Sequence, residues 1–387
     1  MVQRYLGDPP SDGQVIATRS QAVTLAITLL RTGAAVLIDQ PGDNDRALAV
    51  TAVPATANAA TAIAATAIET LSEASLASLR ASSTGPLALV MTLPRAEAMG
   101  LPTDGEVCSA FLKSGATYTQ IKALADPIAR DPQALLDPGP TGHDERVIKA
   151  ALDLAKLAGL MPMLLVASVG AGWANQVPLP PDAVAQFAKD SAHWLSEVAS
   201  TRLPLADAED AEIIAFRSWD GGPESLAIVI GKPDVSQPVL TRIHSSCFTG
   251  DLIGSLRCDC GDQLRGAIRA MAAHGSGVLI YLPQEGRGIG LVNKLRAYAL
   301  QDAGLDTIDA NIQLGFESEE RRYIAAGEIL HRLKITRIRL LTNNPGKRAA
   351  LDEIGVEVVE RVPLVVSANR HSEAYLNTKV VRDGHEL

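Results

Sequence analysis

Chemistry in this chain concentrates in one short stretch. Of the four cysteines in 387 residues, three fall in the pattern Cys247-x10-Cys258-Asp259-Cys260. Where disulfides are reduced, cysteines this close are more often metal ligands or catalytic groups than cross-links. Three thiolates can occupy three corners of a tetrahedral zinc and leave the fourth to water, whose pKa the metal lowers toward neutrality. A closed structural site needs a fourth protein ligand, which His244 or an aspartate could supply, and unligated thiols are the plain alternative. The lack of a fourth cysteine nearby favours the open, catalytic arrangement. Cys108 stands apart and reads as a small buried hydrophobe.

Two further segments could serve a phosphorylated substrate. EGRGIG (285–290) offers the Arg287 cation on a backbone flexible enough for close approach, although such glycines also mark an ordinary turn into a helix. ESEERRY (317–323) brings acids and guanidinium groups together; by composition alone it is a solvated helix start with acids near the N-terminus.

The totals limit the partners. A net charge of −9 with no long Lys/Arg run argues against a nucleic-acid surface, which needs a basic stripe to neutralise phosphates. The opening MVQRYLGDPPSDG has no apolar h-region, so no secretory signal is expected. Residues 157–173 are uncharged, but Pro162, Gly159, Gly170 and Gly172 interrupt them, so a helix end followed by a buried strand fits better than a membrane span. A soluble cytoplasmic protein without membrane contact is expected.

Elements that must position these groups follow from periodicity. At 47% apolar and 20% charged residues, the chain is globular and long enough for two cores. A helix ending at Gly33 precedes the strand AAVLID and the turn-rich QPGDNDRA; Ala59–Leu79 reads as helix, 87–92 as strand, 147–159 as helix and MLLVASV as strand. PLPPD opens a short helix to Val198, and STRLPL breaks any continuous element, placing a domain boundary near Thr201 between domains 1–200 and 201–387. Beyond it, ESLAIVIG, PVLTRIHS, GVLIYLP, IRLLT and VEVVERV read as strands; LVNKLRAYALQDAG and SEERRYIAAGEILHRL read as helices. The fold class is mixed α/β (α+β) in two domains, with no fixed-period repeat.

RIHSSCFTGDLIGSLRCDCGDQL (242–264) resembles the zinc segment of GTP cyclohydrolase II, and the likeness continues through 281–316, RLLTNNPGK (339–347) and ERVPL with YLNTK (360–379). It covers nearly all of 201–387. The resemblance implies one zinc per chain on Cys247, Cys258 and Cys260 plus water, with Mg²⁺ accompanying the substrate phosphates. It implies GTP contacts at Arg242, Ile243, His244, Ser245, Ser246, Gln263, Glu285, Gly286, Arg287, Thr307, Thr342 and Lys347. It further implies Arg321 as nucleophile toward the α-phosphate, Glu319 as the acidic partner, Tyr298 in the active site, and a homodimer. An arginine attacks poorly unless a carboxylate positions or deprotonates it, because its pKa lies far above neutrality.

Four positions depart from the family pattern: Glu319 replaces Asp, Ser246 replaces Glu, Pro283 replaces Arg and Ile312 replaces His. They motivate two other readings, a relative that opens a different nucleotide or stops partway, and a non-catalytic regulatory subunit. The N-terminal half resembles 3,4-dihydroxy-2-butanone 4-phosphate synthase over 87–102 and 150–168. Its acidic metal loop has become DQPGDND (39–45), and a histidine position is Val147, which implies a catalytically dead domain; Asp39, Asp43 and Asp45 read as a polar turn.

Overall fold

The computed structural model describes residues 13–39, 62–128, 132–139, 141–169, 178–344, 346–364 and 382. They form two compact units, Met1–Ala188 with Asn311–Ser318, and Lys189–Ala310 with Glu319–Leu387. The strand Leu195–Arg202 runs through Thr201, so the expected boundary falls inside an element. STRLPL does not interrupt it, because Pro204 lies beyond the strand's last residue.

The first unit is built on an antiparallel sheet of β1 (Val36–Asp39), β2 (Ala62–Ala67), β3 (Ala88–Thr92), β4 (Val107–Leu112), β5 (Leu136–Pro138) and β6 (Met163–Ser168), in the order β1-β2-β6-β3-β4-β5. Its core is aliphatic, and the helix Glu145–Leu157 lays Val147, Ile148, Ala151 and Leu154 into it. Asp144 caps that helix, its carboxylate accepting from the Arg146 amide at 2.8 Å. Val147 is fully buried in this core, so it offers only an apolar side chain.

The helix expected over Ala59–Leu79 is corrected. Residues 62–67 are a strand with every side chain buried, and a helix begins only at Glu73, capped by Ser72. Alanine favours helix in isolation, but pairing on both edges with β1 and β6 overrides so weak a preference. Cys108 lies buried on β4, its thiol pushed up by burial. Asp43 and Asp45 lie outside the described residues.

The second unit carries β7 (Leu195–Arg202), β8 (Ala211–Ser218), β9 (Ser225–Gly231), β10 (Val239–Ser245), β11 (Ser276–Leu282), β12 (Arg337–Leu341) and β13 (Glu357–Val362), ordered β13-β12-β10-β11-β9-β8-β7. Strands β13, β12, β10 and β11 are mutually parallel, whereas β9, β8 and β7 continue the sheet antiparallel. Strand β10 is buried along almost its whole length, as a strand covered on both faces must be.

This topology decides where chemistry can sit. In an open sheet of parallel strands, ligands bind in the crevice beyond the carboxyl ends. Here the carboxyl ends of β10, β11 and β12 lead into the cysteine turn, the glycine-rich loop and the segment TNN (342–344). Among the described residues no helix is long and apolar enough to cross a membrane.

Candidate active site and metal centre

The three cysteines converge. Their sulfurs lie within 4.8 Å of one another, and the Cys247 and Cys258 sulfurs are 3.6 Å apart. At a Zn–S bond of about 2.3 Å, tetrahedral geometry separates sulfurs by about 3.8 Å, so the cluster fits one ion. Cys247 follows β10 and opens the turn Phe248–Leu252; Cys260 opens the helix Cys260–His274, its thiol pushed up by its contacts with Cys247 and Cys258 and by burial. Gly250 keeps the space clear, because a Cβ there would lie 2.8 Å from the Cys258 sulfur and 3.1 Å from that of Cys247. Hydrogen bonds from Cys258, Cys260 and Lys294 hold the Cys247 thiol well below its usual range; Cys258 is pushed up to about 11 by its contact with Cys247.

Behind the cysteines lies a buried polar network. The Asp251 carboxylate accepts from the Cys247 amide at 3.0 Å and from the Tyr281 hydroxyl at 2.9 Å, and meets His244 Nε2 at 3.1 Å. It therefore fixes the backbone from which Cys247 projects. Tyr281 stacks on His244 at 5.6 Å, as the β10–β11 register pairs these two residues. Burial lowers the His244 pKa, so the neutral ring prevails near pH 7.

Next to the cluster, a pocket is lined by Arg242, Ile243, His244, Ser245, Cys260, Gln263, Arg287, Arg321, Thr342, Asn343, Asn344 and Lys347. Cys260 belongs to both the pocket and the metal cluster. Arg242 donates to the Leu341 carbonyl at 2.8 Å and to Gln263, which in turn donates to Asp259; burial lowers its pKa to about 10. Lys347 donates to the Ile243 carbonyl at 3.0 Å. Three buried polar atoms along β10, Arg242 Nε, His244 Nδ1 and Ser245 Oγ, have no protein partner. Unsatisfied buried groups are costly, and a polar ligand would satisfy them.

Arg287 reaches the pocket from a strained backbone, with φ of 63° in the left-handed region that disfavours residues bearing a Cβ. The next residue, Gly288, has φ of 94° and sits against the Glu320 backbone, where a Cβ would come within 2.8 Å. That approach lets the Arg287 carbonyl accept from the Glu320 amide at 3.2 Å. The glycine-rich loop and the acidic segment are thereby joined.

Residues 318–323 form no helix, and the helix begins only at Ile324; this corrects the composition-based expectation. Glu319 clamps Arg321 through both oxygens, accepting from Nε at 2.6 Å and from the terminal nitrogen. Burial would raise the Glu319 pKa, but its hydrogen bonds to Arg321 outweigh that and hold it low.

Other expected residues flank the pocket. Glu285 turns to the cysteine turn, accepting from the Phe248 amide at 2.6 Å, and Gly286 packs against Lys294. Ser246 is tied through its amide to the Leu282 carbonyl. Thr307 opens the helix Thr307–Gln313 and accepts from Gln301 at 3.3 Å. The Tyr298 ring lies under the Arg257 guanidinium at 5.0 Å, its hydroxyl pushed up to about 12 by burial. Sequence reasoning missed Asn343 and Asn344, although both lie within the RLLTNNPGK block, and it missed Asp251, Tyr281 and Lys294, whose roles depend on buried contacts.

Comparison with known proteins agrees with this geometry. The GTP cyclohydrolase II family pattern matches residues 196–363. A GTP cyclohydrolase-2 of Azospirillum brasilense is 49% identical over 315 residues, 77% of this chain and 80% of the relative. The chain belongs to the GTP cyclohydrolase II family. The riboflavin biosynthesis protein RibBA of Phocaeicola vulgatus is 37% identical over 311 residues, covering 73% of this chain and 76% of that protein. A match of that length reaches into the N-terminal half. Among solved structures, RibBX, a two-domain 3,4-dihydroxy-2-butanone 4-phosphate synthase from A. baumannii, aligns with 89% of this chain and 99% of its own at 15% identity, TM-score 0.29.

Proposed function

We propose that this chain is a zinc-dependent GTP cyclohydrolase II that converts GTP and water to 2,5-diamino-6-(5-phospho-ribosylamino)pyrimidin-4-one, formate and pyrophosphate, the first step of riboflavin biosynthesis. The carrying observation is Cys260, shared between the three-sulfur cluster and a pocket bearing Arg242, Arg287, Arg321 and Lys347. A triphosphate requires such cations, and an imidazole ring opened at its C8 carbon requires an activated water beside them. The sulfurs of Cys247, Cys258 and Cys260 would hold zinc, which supplies a Lewis acid and a water of lowered pKa.

The protein's own groups divide the remaining work. Arg287 and Lys347 bind phosphate oxygens, and Mg²⁺ would travel with those phosphates. A guanidinium nitrogen of Arg321 forms a bond to the α-phosphorus as the bond to the bridging oxygen breaks and pyrophosphate leaves; Glu319 orients that guanidinium and takes up the displaced proton, and water then cleaves the phosphorus–nitrogen bond, giving the monophosphate while the proton returns to Arg321. Tyr298, its hydroxyl kept neutral by burial, can donate a hydrogen bond beside the cysteines.

The chain is proposed to act as a cytoplasmic homodimer of two-domain subunits. The N-terminal domain is proposed to be related to 3,4-dihydroxy-2-butanone 4-phosphate synthase but inactive. Buried Val147, standing where that family has a histidine, supports this, because an aliphatic core side chain cannot hold a metal.

Incubation of metal-analysed protein with GTP and Mg²⁺, with formate and pyrophosphate assayed separately, tests the proposal. Both products should appear together with one zinc per chain. Pyrophosphate without formate, or turnover of another nucleotide only, would select the divergent relative suggested by Ser246, Pro283 and Ile312.

A further inference from the structure

One buried cation is left unused by the steps above. Lys294, on the helix Leu291–Asp302, is 8% exposed, yet its ammonium lies 3.0 Å from the Cys247 sulfur, 2.9 Å from Thr249 Oγ1 and 2.6 Å from Glu285 Oε1. An ammonium has three donors, and here three acceptors surround it. Taking such a charge out of water is costly unless it is paired, and these three contacts supply the pairing.

The partners show what it does. Three thiolates around a divalent cation would carry one net negative charge in a buried place, and an ammonium donating to one sulfur while paired with Glu285 lessens the repulsion at that sulfur. The second Glu285 oxygen accepts from the Phe248 amide, so the Lys294–Glu285 pair also straps the cysteine turn to the glycine-rich loop. Tyr298, one turn further along the helix, places its ring 5.7 Å from the ammonium. Lys294 thus touches the sulfur, the loop and the tyrosine together.

We propose that Lys294 is a positioning residue for the metal centre: it donates to the Cys247 sulfur, holds that sulfur and the glycine-rich loop together through Glu285, and sets the affinity for the ion. This rests on the three-cysteine metal reading. Outer-shell partners of metal ligands typically govern affinity by about 10- to 100-fold.

The test compares full-length parent and Lys294→Met, which keeps length and apolar stem but removes charge and donors, by zinc competition against a chromophoric chelator. Parent protein that takes up no zinc would sink the metal reading itself. Given a parent that binds, Lys294→Met should bind zinc about 10- to 100-fold more weakly. With cobalt substituted, its sulfur-to-cobalt charge-transfer band should also shift, a change that loss of packing alone would not cause. Affinity within twofold of the parent and an unmoved band would overturn the inference. If the Met variant does not fold, Lys294→Gln, which retains a donor but no charge, is read by the same criteria.

Discussion

Replacing Gly250 by alanine adds one methyl group at the centre of the cysteine cluster. The new Cβ would lie 2.8 Å from the Cys258 sulfur, 3.0 Å from Cys260 Cβ and 3.1 Å from the Cys247 sulfur. Favourable non-bonded contact needs about 3.5–4.0 Å, so each sulfur must retreat by roughly 0.5 Å or more. Metal–ligand distances tolerate only about 0.2 Å, and the displacement exceeds that. Overpacking a tight site costs about 1–3 kcal/mol, which at 1.4 kcal/mol per decade corresponds to zinc binding about 5- to 150-fold weaker. The backbone itself accepts alanine, since Gly250 is not among the residues with positive φ. The effect should therefore appear in metal affinity, with little loss of secondary structure. Chelator competition measures it directly, alongside formate release at saturating zinc. A Gly250→Ala protein that holds zinc as tightly as the parent would refute the claim that these three sulfurs converge on one ion around that glycine.

Other outcomes follow from the same geometry. Cys258→Ser should abolish formate release and zinc retention together, checked by elemental analysis and a formate assay; zinc retained at full stoichiometry with normal turnover would count against the site. Val147→Ala removes two buried methyl groups from the first unit and should cost about 1–3 kcal/mol of that unit's stability in denaturant unfolding, with formate release per folded protein unchanged. Because Arg321 holds the Glu319 pKa below its ordinary 4.5, the pair's stabilising effect is present above the unfolded-state value and is lost as pH falls through the lower folded-state value. The pH profile of formate release should consequently show no acid limb from Glu319 above about pH 5, and Glu319→Gln should lower the rate across the profile without moving its limbs.

The sequence alone carried the candidate metal ligands and much of the pocket. Thiols in the spacing C-x10-C-D-C already raised a shared ion alongside the reading of unligated thiols, and the structure brings their sulfurs together. Strands β10 and β11 were legible because both faces are buried and their apolar runs are nearly continuous. The Ala59–Leu79 error arose where composition favoured helix, and only pairing with β1 and β6 decided for strand. No local signal shows that Lys294, one of two cations on its helix, turns inward to a sulfur, or that Asp251 gathers His244, Tyr281 and the Cys247 amide. Residue type and spacing determine which chemistry is available. The crossing of chain segments at the carboxyl ends of β10, β11 and β12 decides which groups meet, because desolvated contacts between residues far apart in sequence leave no periodic trace in it.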